Sequence, residues 1–193
     1  LELGVITEND RAFSNGRYYL PGVAKPFRDW RKGGHGWVNI YGALEQSVNT
    51  YFYSLAMDMG IDRMHDYLTR FGLGSDTGVD VVGEHEGLVP STAWKRKAFR
   101  NPSDQRWFQG ETVIASIGQG YMLATPLQLA TATAALATRG VRYEPHIVAA
   151  WEDPLSGERT LATPVRLDDV DLNDDSNWDA VIGAMNSVMQ GPR

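Results

Sequence analysis

Two small hydrogen-bonding side chains, Ser47 and Asn49, interrupt an apolar stretch of the sequence. They belong to a Ser-Val-Asn tripeptide within LEQSVNTYFYSLAMDMG, residues 44–60, where aromatic and aliphatic residues would otherwise continue one helix. Serine and asparagine commonly end or begin helices, because their side chains bond to free backbone groups. Alternatively, a rigid backbone holds both side chains against a substrate. The tripeptide alone leaves both roles open.

Two further polar motifs could do chemistry, but each has a plainer explanation. Glu84, His85 and Glu86 adjoin one another, and we predict a solvated loop there rather than a metal site. The Gly118-Gln119-Gly120 stretch has no following Lys-Ser/Thr, so it is not a phosphate-binding loop. We predict a tight turn there. The chain has no cysteine, which excludes disulfides and thiolate metal sites.

Composition limits the possible function classes. The 193 residues are 42% hydrophobic and carry a net charge of −6, with both signs interspersed. This pattern indicates a globular chain and argues against nucleic-acid binding. We predict that the one basic stretch, WKRKAFR at 94–100, forms a solvated loop. The uncharged residues 112–138 contain glycines and a proline, so we predict a loop and a buried helix rather than a membrane span.

Hydrophobic spacing and capping residues predict five helices. The first runs from the N-cap Asn39 to about Gln46, the second from residue 49 or 50 to Gly60, and the third ends at Gly72. A fourth helix, with Thr125 as N-cap and Gly140 after its end, is Ala- and Leu-rich and should be buried on most sides. The last helix spans about 178–189. Its apolar stripe consists of Val181, Ile182, Met185, Val188 and Met189.

Extended segments are predicted between these helices. Glycines and β-branched residues favour strand pairs around 76–90 and 141–165, and a short pair around Tyr18 and Tyr19.

Longer motifs give a more specific indication than any of these patterns. They are GVITEND, LPG…FRDWRKGGHG, ALEQSVNTYFYSLAMDMGID, FGLGSDTGVD and IGQGYMLATPLQLATATAALATRGV, spread over the chain to about Ile147. On these motifs the chain resembles the penicillin-binding D,D-transpeptidases. In particular, it is similar to the class B group of the cell-elongation machinery, the penicillin-binding protein 2 group.

The resemblance implies a serine acyl-transfer chemistry. A serine attacks the D-Ala-D-Ala amide of a peptidoglycan stem peptide, and an amine of a second stem resolves the acyl-enzyme. β-Lactams mimic the donor and are trapped at the acyl stage. The motifs Ser-x-x-Lys, Ser-x-Asn and Lys-Ser/Thr-Gly line the cleft. By this resemblance Ser47 would relay a proton toward the leaving amine, and Asn49 would bind the donor backbone.

Two of these three motifs do not occur in the sequence. No serine has a lysine three residues later, and no Lys-Ser/Thr-Gly follows the last lysine, Lys97. We therefore expect residues 1–193 to be an interior part of a transpeptidase domain, inactive alone, between those two motifs. In the family, the central sheet is built from segments outside such a part. The expected fold is mainly α with small peripheral β pairs, the helical subdomain of the penicillin-binding transpeptidase and serine β-lactamase-like α+β fold.

Metals, partners and location follow from the same resemblance. Some relatives carry zinc near Asp29 and His35, but the other two ligand positions correspond here to Ser14 and Val48. We therefore predict an Asp–His hydrogen bond, no metal and no cofactor. The implied partners are stem peptides, β-lactams, and an elongation glycosyltransferase with its scaffold proteins. The implied location is the periplasmic face of the inner membrane, with no membrane contact from this segment.

Two other hypotheses remain open on the sequence. One is a β-lactam sensor or non-catalytic penicillin-binding module. The other is an unrelated scaffold in which Ser-Val-Asn only caps helices. The stretch YYLPGVAKPFRDWRKGGHG argues against sensors and β-lactamases, which are not expected to have it.

Overall fold

Short helices and two-stranded pairs make up the computed structural model, which describes residues 1–190. The helices are α1 (Ile40–Glu45), α2 (Asn49–Met59), α3 (Ile61–Thr69), α4 (Thr92–Ala98), α5 (Pro102–Gln105), α6 (Gln109–Ala115), α7 (Pro126–Ala137) and α8 (Ser176–Gln190). The strands are β1 (Ala12–Ser14), β2 (Arg17–Tyr18), β3 (Phe27–Arg28), β4 (Gly36–Val38), β5 (Ala150–Glu152) and β6 (Arg159–Leu161). The antiparallel pairs are β1–β4, β2–β3 and β5–β6, and within residues 1–190 no pair extends into a larger sheet. The mainly α fold with small β pairs is confirmed.

The chain forms two compact units. Of the described residues, unit 1 contains 1–67, 90–122 and 172–190, whereas unit 2 contains 68–89 and 123–171. The Ser-Val-Asn tripeptide lies in unit 1.

The core of unit 1 surrounds the first two helices. Buried Val38, Ile40, Ala43, Val48 and Tyr51 form one apolar cluster. The predicted N-cap is confirmed, because the Asn39 side chain accepts a hydrogen bond from the Gly42 N–H at 3.1 Å. This packing fixes α1 and α2 on both sides of the tripeptide.

Helix α8 lies against α1 but buries only part of its predicted stripe. Trp178, Ala180 and Ala184 are buried, whereas the last three members of the stripe, Met185, Val188 and Met189, are exposed. The small residues face α1 closely, since a Cβ on Gly183 would lie 3.6 Å from the Tyr41 ring. Amphipathic spacing therefore located the helix correctly but not the face that its own chain covers.

The basic stretch WKRKAFR is not the predicted solvated loop. It forms most of α4, and Lys95 in its middle is only 2% exposed. The ammonium of Lys95 pairs with the Glu111 carboxylate, which belongs to α6. Its Nζ lies 5.0–5.7 Å from the ring centroids of Phe99, Trp107, Phe108 and Tyr121. The rings of Tyr121 and Trp107 thus pack around the Lys95 ammonium. Charge alone could not show which lysine of the stretch is buried.

In unit 2 the predicted capping of α7 is confirmed. Thr125 Oγ1 accepts from the Gln128 N–H, and Gln128 Oε1 accepts from the Thr125 N–H. The fully buried Gln128 amide also donates to the carbonyls of Ser75 and Glu86, each at 2.7 Å. The rest of α7 is less buried than predicted: only Gln128 and Ala135 are buried, and Leu129 is exposed, because the described residues of unit 2 do not cover that face.

The predicted strand pairs are partly present. β5 and β6 pair within the 141–165 region, and Tyr143 forms a single bridge with Arg166. Of residues 76–90, only Leu88 forms a bridge, with Leu123. The predicted pairing at Tyr18 is confirmed, since it lies opposite Phe27. Over the described part of the chain, every helix is too short or too polar to cross a membrane.

Candidate active site

The Ser-Val-Asn tripeptide is the turn between α1 and α2. The Ser47 N–H donates to the Leu44 carbonyl at 3.2 Å, and the Val48 N–H donates to the Ala43 carbonyl at 2.9 Å. This pair of bonds is the Schellman motif, which ends helices with a residue in the left-handed conformation. Val48 and Ala43 are fully buried together, as this motif favours. The turn is therefore anchored by its middle residue.

Ser47 occupies a backbone position that normally favours glycine. Its φ is +52°, and it is one of two non-glycine residues with positive φ among residues 1–190. Such a conformation costs a non-glycine residue of the order of 1 kcal/mol or more, and strained residues of this kind concentrate at functional sites. Ser47 is also exposed, so the retained side chain does not fill the core.

The capping hypothesis is half wrong. Ser47 does follow the end of α1, but through its backbone. The N-cap of α2 is Val48, which makes no side-chain hydrogen bond, and Asn49 is already the first helical residue. Within residues 1–190, neither the Ser47 hydroxyl nor the Asn49 side-chain amide forms a hydrogen bond with another protein group. Both side chains are available to a ligand.

Ser47 and Asn49 line a cleft of about 350 Å³ together with Phe52, Ser116, Ile117 and Gln119. The latter three residues come from the turn after α6. Its Gly118 has φ +74°, and the Gln119 N–H donates to the Ile114 carbonyl at 3.2 Å. The predicted tight turn at Gly118-Gln119-Gly120 is confirmed. The sequence analysis did not place Ser116 or Gln119 in the site, although the two glycines mark a turn that can approach another element closely.

Asp29 and His35 form the predicted hydrogen bond beside the Ser-Val-Asn turn. His35 Nε2 donates to Asp29 Oδ1 at 3.2 Å, and His35 Nδ1 lies 3.0 Å from Gln46 Oε1. Asp29 Oδ2 accepts from the Thr50 N–H at 3.0 Å, and the Thr50 hydroxyl lies 3.0 Å from the same oxygen and 2.8 Å from Ser14 Oγ. We call Ser14, Asp29, His35, Gln46 and Thr50 the Asp29 network.

Hydrogen bonds rather than solvent keep Asp29 ionised. Burial acts to raise its pKa, but bonds from the Thr50 N–H, the Thr50 hydroxyl and His35 outweigh burial. The pKa of Asp29 therefore lies below the ordinary value of 3.8.

The Asp29 network does not fit a zinc ion. Residues 1–190 contain no group of three His, Cys, Asp or Glu side chains that could hold a metal. Both Asp29 oxygens and both His35 ring nitrogens already have protein partners. Of the two other ligand positions, Ser14 bonds within the network, whereas Val48 is a buried apolar residue. Sequence analysis missed Gln46 and Thr50, whose amide and hydroxyl complete the network.

A family model for the penicillin binding protein transpeptidase domain matches residues 1–192. The chain belongs to this transpeptidase family.

Several relatives of the transpeptidase family are closely similar. Peptidoglycan D,D-transpeptidase MrdA of Escherichia coli K12 is 44% identical over 148 residues, which are 77% of this chain and 23% of the relative. Pseudomonas aeruginosa penicillin-binding protein 2 in complex with WCK 5153 is 41% identical with a TM-score of 0.84, over 100% of this chain and 42% of that chain. The complex of penicillin-binding protein 2 and MreC from Helicobacter pylori is 30% identical with a TM-score of 0.79, over 98% of this chain and 34% of that chain. The chain thus spans about a quarter of the length of the curated relative.

Unit 2 contains a larger cavity than the cleft beside Ser47. The cavity, of about 440 Å³, runs along α7 past Leu127, Ala130 and Ala134. Also in unit 2, the Glu84 carboxylate accepts the Thr77 N–H at 2.9 Å, and His85 and Glu86 are exposed. The solvated loop predicted for Glu84, His85 and Glu86 agrees with this arrangement.

Proposed function

We propose that this chain supplies the Ser-x-Asn part of a peptidoglycan D,D-transpeptidase that cross-links stem peptides during cell elongation. The observation that carries the proposal is the Ser-Val-Asn turn. Its Ser47 is held in a strained backbone conformation, and its two polar side chains line a cleft without partners within the described chain. The name of the E. coli relative supports the transpeptidase activity.

In the proposed reaction a serine oxygen forms a bond to the carbonyl carbon of the donor peptide, and the C–N bond to the terminal D-alanine breaks. The D-alanine leaves with a proton on its amine. An amine of a second stem then attacks the ester, forms the cross-link and releases the serine. The nucleophile belongs to a Ser-x-x-Lys motif, which these 193 residues do not contain.

Ser47 and Asn49 have separate roles in this proposal. The Ser47 hydroxyl relays a proton between lysines of the two other motifs and the leaving amine, which requires heavy atoms about 3 Å apart. The Asn49 amide donates to the donor backbone. Because both residues adjoin the rigid end of α1, the turn supplies the fixed geometry that these steps need.

The surroundings of the enzyme follow from the same proposal. We place it at the periplasmic face of the inner membrane, with β-lactams as inhibitors that stop at the acyl stage. An elongation glycosyltransferase and scaffold proteins are the proposed protein partners, and the complex of a relative with MreC supports the scaffold contact.

The test measures acylation of the full-length protein by a fluorescent penicillin. Ser47→Gly removes the hydroxyl without adding strain at φ +52°, and Asn49→Ala removes the amide. Each should slow acylation about 100-fold, the usual cost of losing one positioned transition-state group. Ser54→Ala is the matched control, because Ser54 lies on α2 like Asn49 but outside the cleft. This variant should be acylated at the normal rate.

Unchanged acylation in both variants would leave the tripeptide with a helix-ending role alone. A cross-linking assay with a donor and an acceptor stem peptide separates the enzyme from the alternative, a β-lactam sensor or non-catalytic penicillin-binding module. Such a protein would be acylated by penicillin but would form no cross-link. The 193-residue chain by itself should gain no penicillin adduct in mass spectrometry.

A further inference from the structure

The strained turn at Ser47 is held by more than the end of α1. The Schellman bonds use the N–H groups of Ser47 and Val48. They leave the carbonyls of Gln46 and Ser47 without a partner inside the turn. These two carbonyls belong to the peptide units on either side of the Ser47 Cα, so whatever binds them also fixes the direction of the Ser47 Cα–Cβ bond.

A tryptophan from a distant loop binds both carbonyls. Trp30 Nε1 donates to the Gln46 oxygen at 3.0 Å and to the Ser47 oxygen at 3.2 Å. Trp30 is nevertheless 64% exposed, so burial of apolar surface does not explain its position. An exposed indole whose N–H is shared by two carbonyls is held there by those hydrogen bonds.

The loop that carries Trp30 is itself rigid. The Trp30 ring meets the His35 ring edge-on, with centroids 5.2 Å apart, and His35 belongs to the Asp29 network. The Asp29 N–H donates to the Gly16 carbonyl, and the His35 N–H donates to the Ser14 carbonyl, each at 3.0 Å. At Gly34 the backbones are so close that a Cβ would lie 2.2 Å from the Ser14 oxygen.

The same loop also holds the other flank of the turn. Asp29, the residue before Trp30, accepts the N–H of Thr50, the residue after Asn49. The indole therefore holds the turn at Gln46 and Ser47, and the carboxylate holds it at Thr50. Of these contacts, only the indole reaches the peptide unit of Ser47 itself.

We propose that Trp30 is a positioning residue, whose indole N–H holds the Gln46 and Ser47 carbonyls and so keeps the Ser47 hydroxyl in the geometry needed for acyl transfer. The proposal rests on the function proposed above for Ser47. It assigns no contact between Trp30 and the substrate.

The test compares two exposed tryptophans of unit 1 in the full-length protein. Trp30→Phe keeps an aromatic ring but removes the N–H donor. Trp37→Phe is the matched control, because Trp37 is 62% exposed and packs on Phe13 at 5.4 Å on the β1–β4 pair. For each variant, penicillin kinetics separate the affinity before acylation from the acylation rate constant, and thermal melting reports folding.

Trp30→Phe should lower the acylation rate constant about threefold to tenfold, as expected for losing a shared hydrogen bond. The affinity before acylation and the melting temperature should remain close to those of Trp37→Phe. In a Ser47→Ala background, Trp30→Phe should have no further effect, because Trp30 acts through Ser47.

Three results would overturn the proposal, and they differ in what else they affect. If Trp30→Phe matches Trp37→Phe while Ser47→Ala slows acylation, the role of Trp30 is wrong and the proposed function stands. If the full Trp30→Phe effect persists in the Ser47→Ala background, Trp30 acts elsewhere. If Ser47→Ala acylates normally, the proposed function fails, and the role of Trp30 fails with it.

Discussion

The Ser-Val-Asn turn and the Asp29 network lie side by side in unit 1, yet they use polar side chains in opposite ways. In the network, each oxygen of the buried Asp29 has a protein partner. In the turn, Ser47 and Asn49 line a cleft, and Ser47 has an unfavourable backbone conformation. Satisfied polar groups stabilise a fold, whereas strained residues concentrate at functional sites. Substitutions in the two regions should therefore affect different quantities.

The largest stability effect should come from Asp29→Ala. It leaves buried hydrogen-bonding groups of His35 and Thr50 without their acceptor, which should lower the free energy of unfolding by about 3–5 kcal/mol. Urea unfolding of the full-length protein measures the change. Asp58→Ala, at an exposed position on α2, should change it by less than about 0.5 kcal/mol. Equal effects of the two substitutions would contradict the structural role of the network.

The pH dependence of stability should show an effect of intermediate size in the Asp29 network. Because hydrogen bonds hold the pKa of folded Asp29 below 3.8, its carboxylate stabilises the fold above the unfolded pKa. That contribution is complete at neutral pH and is lost as the pH falls through the folded pKa. The stability difference between the wild type and Asp29→Asn should therefore shrink when the pH falls below about 4. A difference that stays constant from pH 7 to pH 3 would show that Asp29 is not the titrating group.

The smallest effect, opposite in sign, should come from the turn. Ser47→Gly relieves the left-handed strain, which stabilises the fold, although a glycine loses more chain entropy on folding. Because the relief of strain is the larger effect, the substitution should raise the free energy of unfolding by about 0.5–1 kcal/mol. Ser54→Gly, inside α2, should lower it by a similar amount. A variant that is more stable but acylates slowly would separate the two regions most clearly. Loss of stability in Ser47→Gly would show that the hydroxyl has a structural partner.

The sequence predicted local features of this site well. Asn39 as N-cap, the start of α2 near Asn49 and the turn at Gly118-Gln119-Gly120 all depend on neighbouring residues, and the structure confirms them. The Asp29–His35 hydrogen bond was also predicted, and the two residues are only six positions apart in the sequence. Such features follow from residue types and short spacing.

Long-range partners could not be predicted in the same way. The burial of Lys95 depends on Glu111, which is sixteen residues away. The contact of Trp30 with the turn depends on carbonyls that every residue has, so no side-chain pattern marks it. Likewise, the exposed C-terminal part of α8 and the exposed face of α7 depend on what covers each helix, which amphipathic spacing does not record.

The enclosure of Lys95 makes it chemically different from the chain's other lysines. Lys25, Lys32 and Lys97 are exposed, so an amine-reactive label can reach them in the folded protein. The Lys95 amine is paired with Glu111 and lies among four rings, so a label reaches it only when α4 and α6 separate. Tyr121, one of those rings, follows directly on the glycine turn that lines the cleft. The labelling rate of Lys95 therefore measures how often α4 and α6 separate transiently beside the cleft.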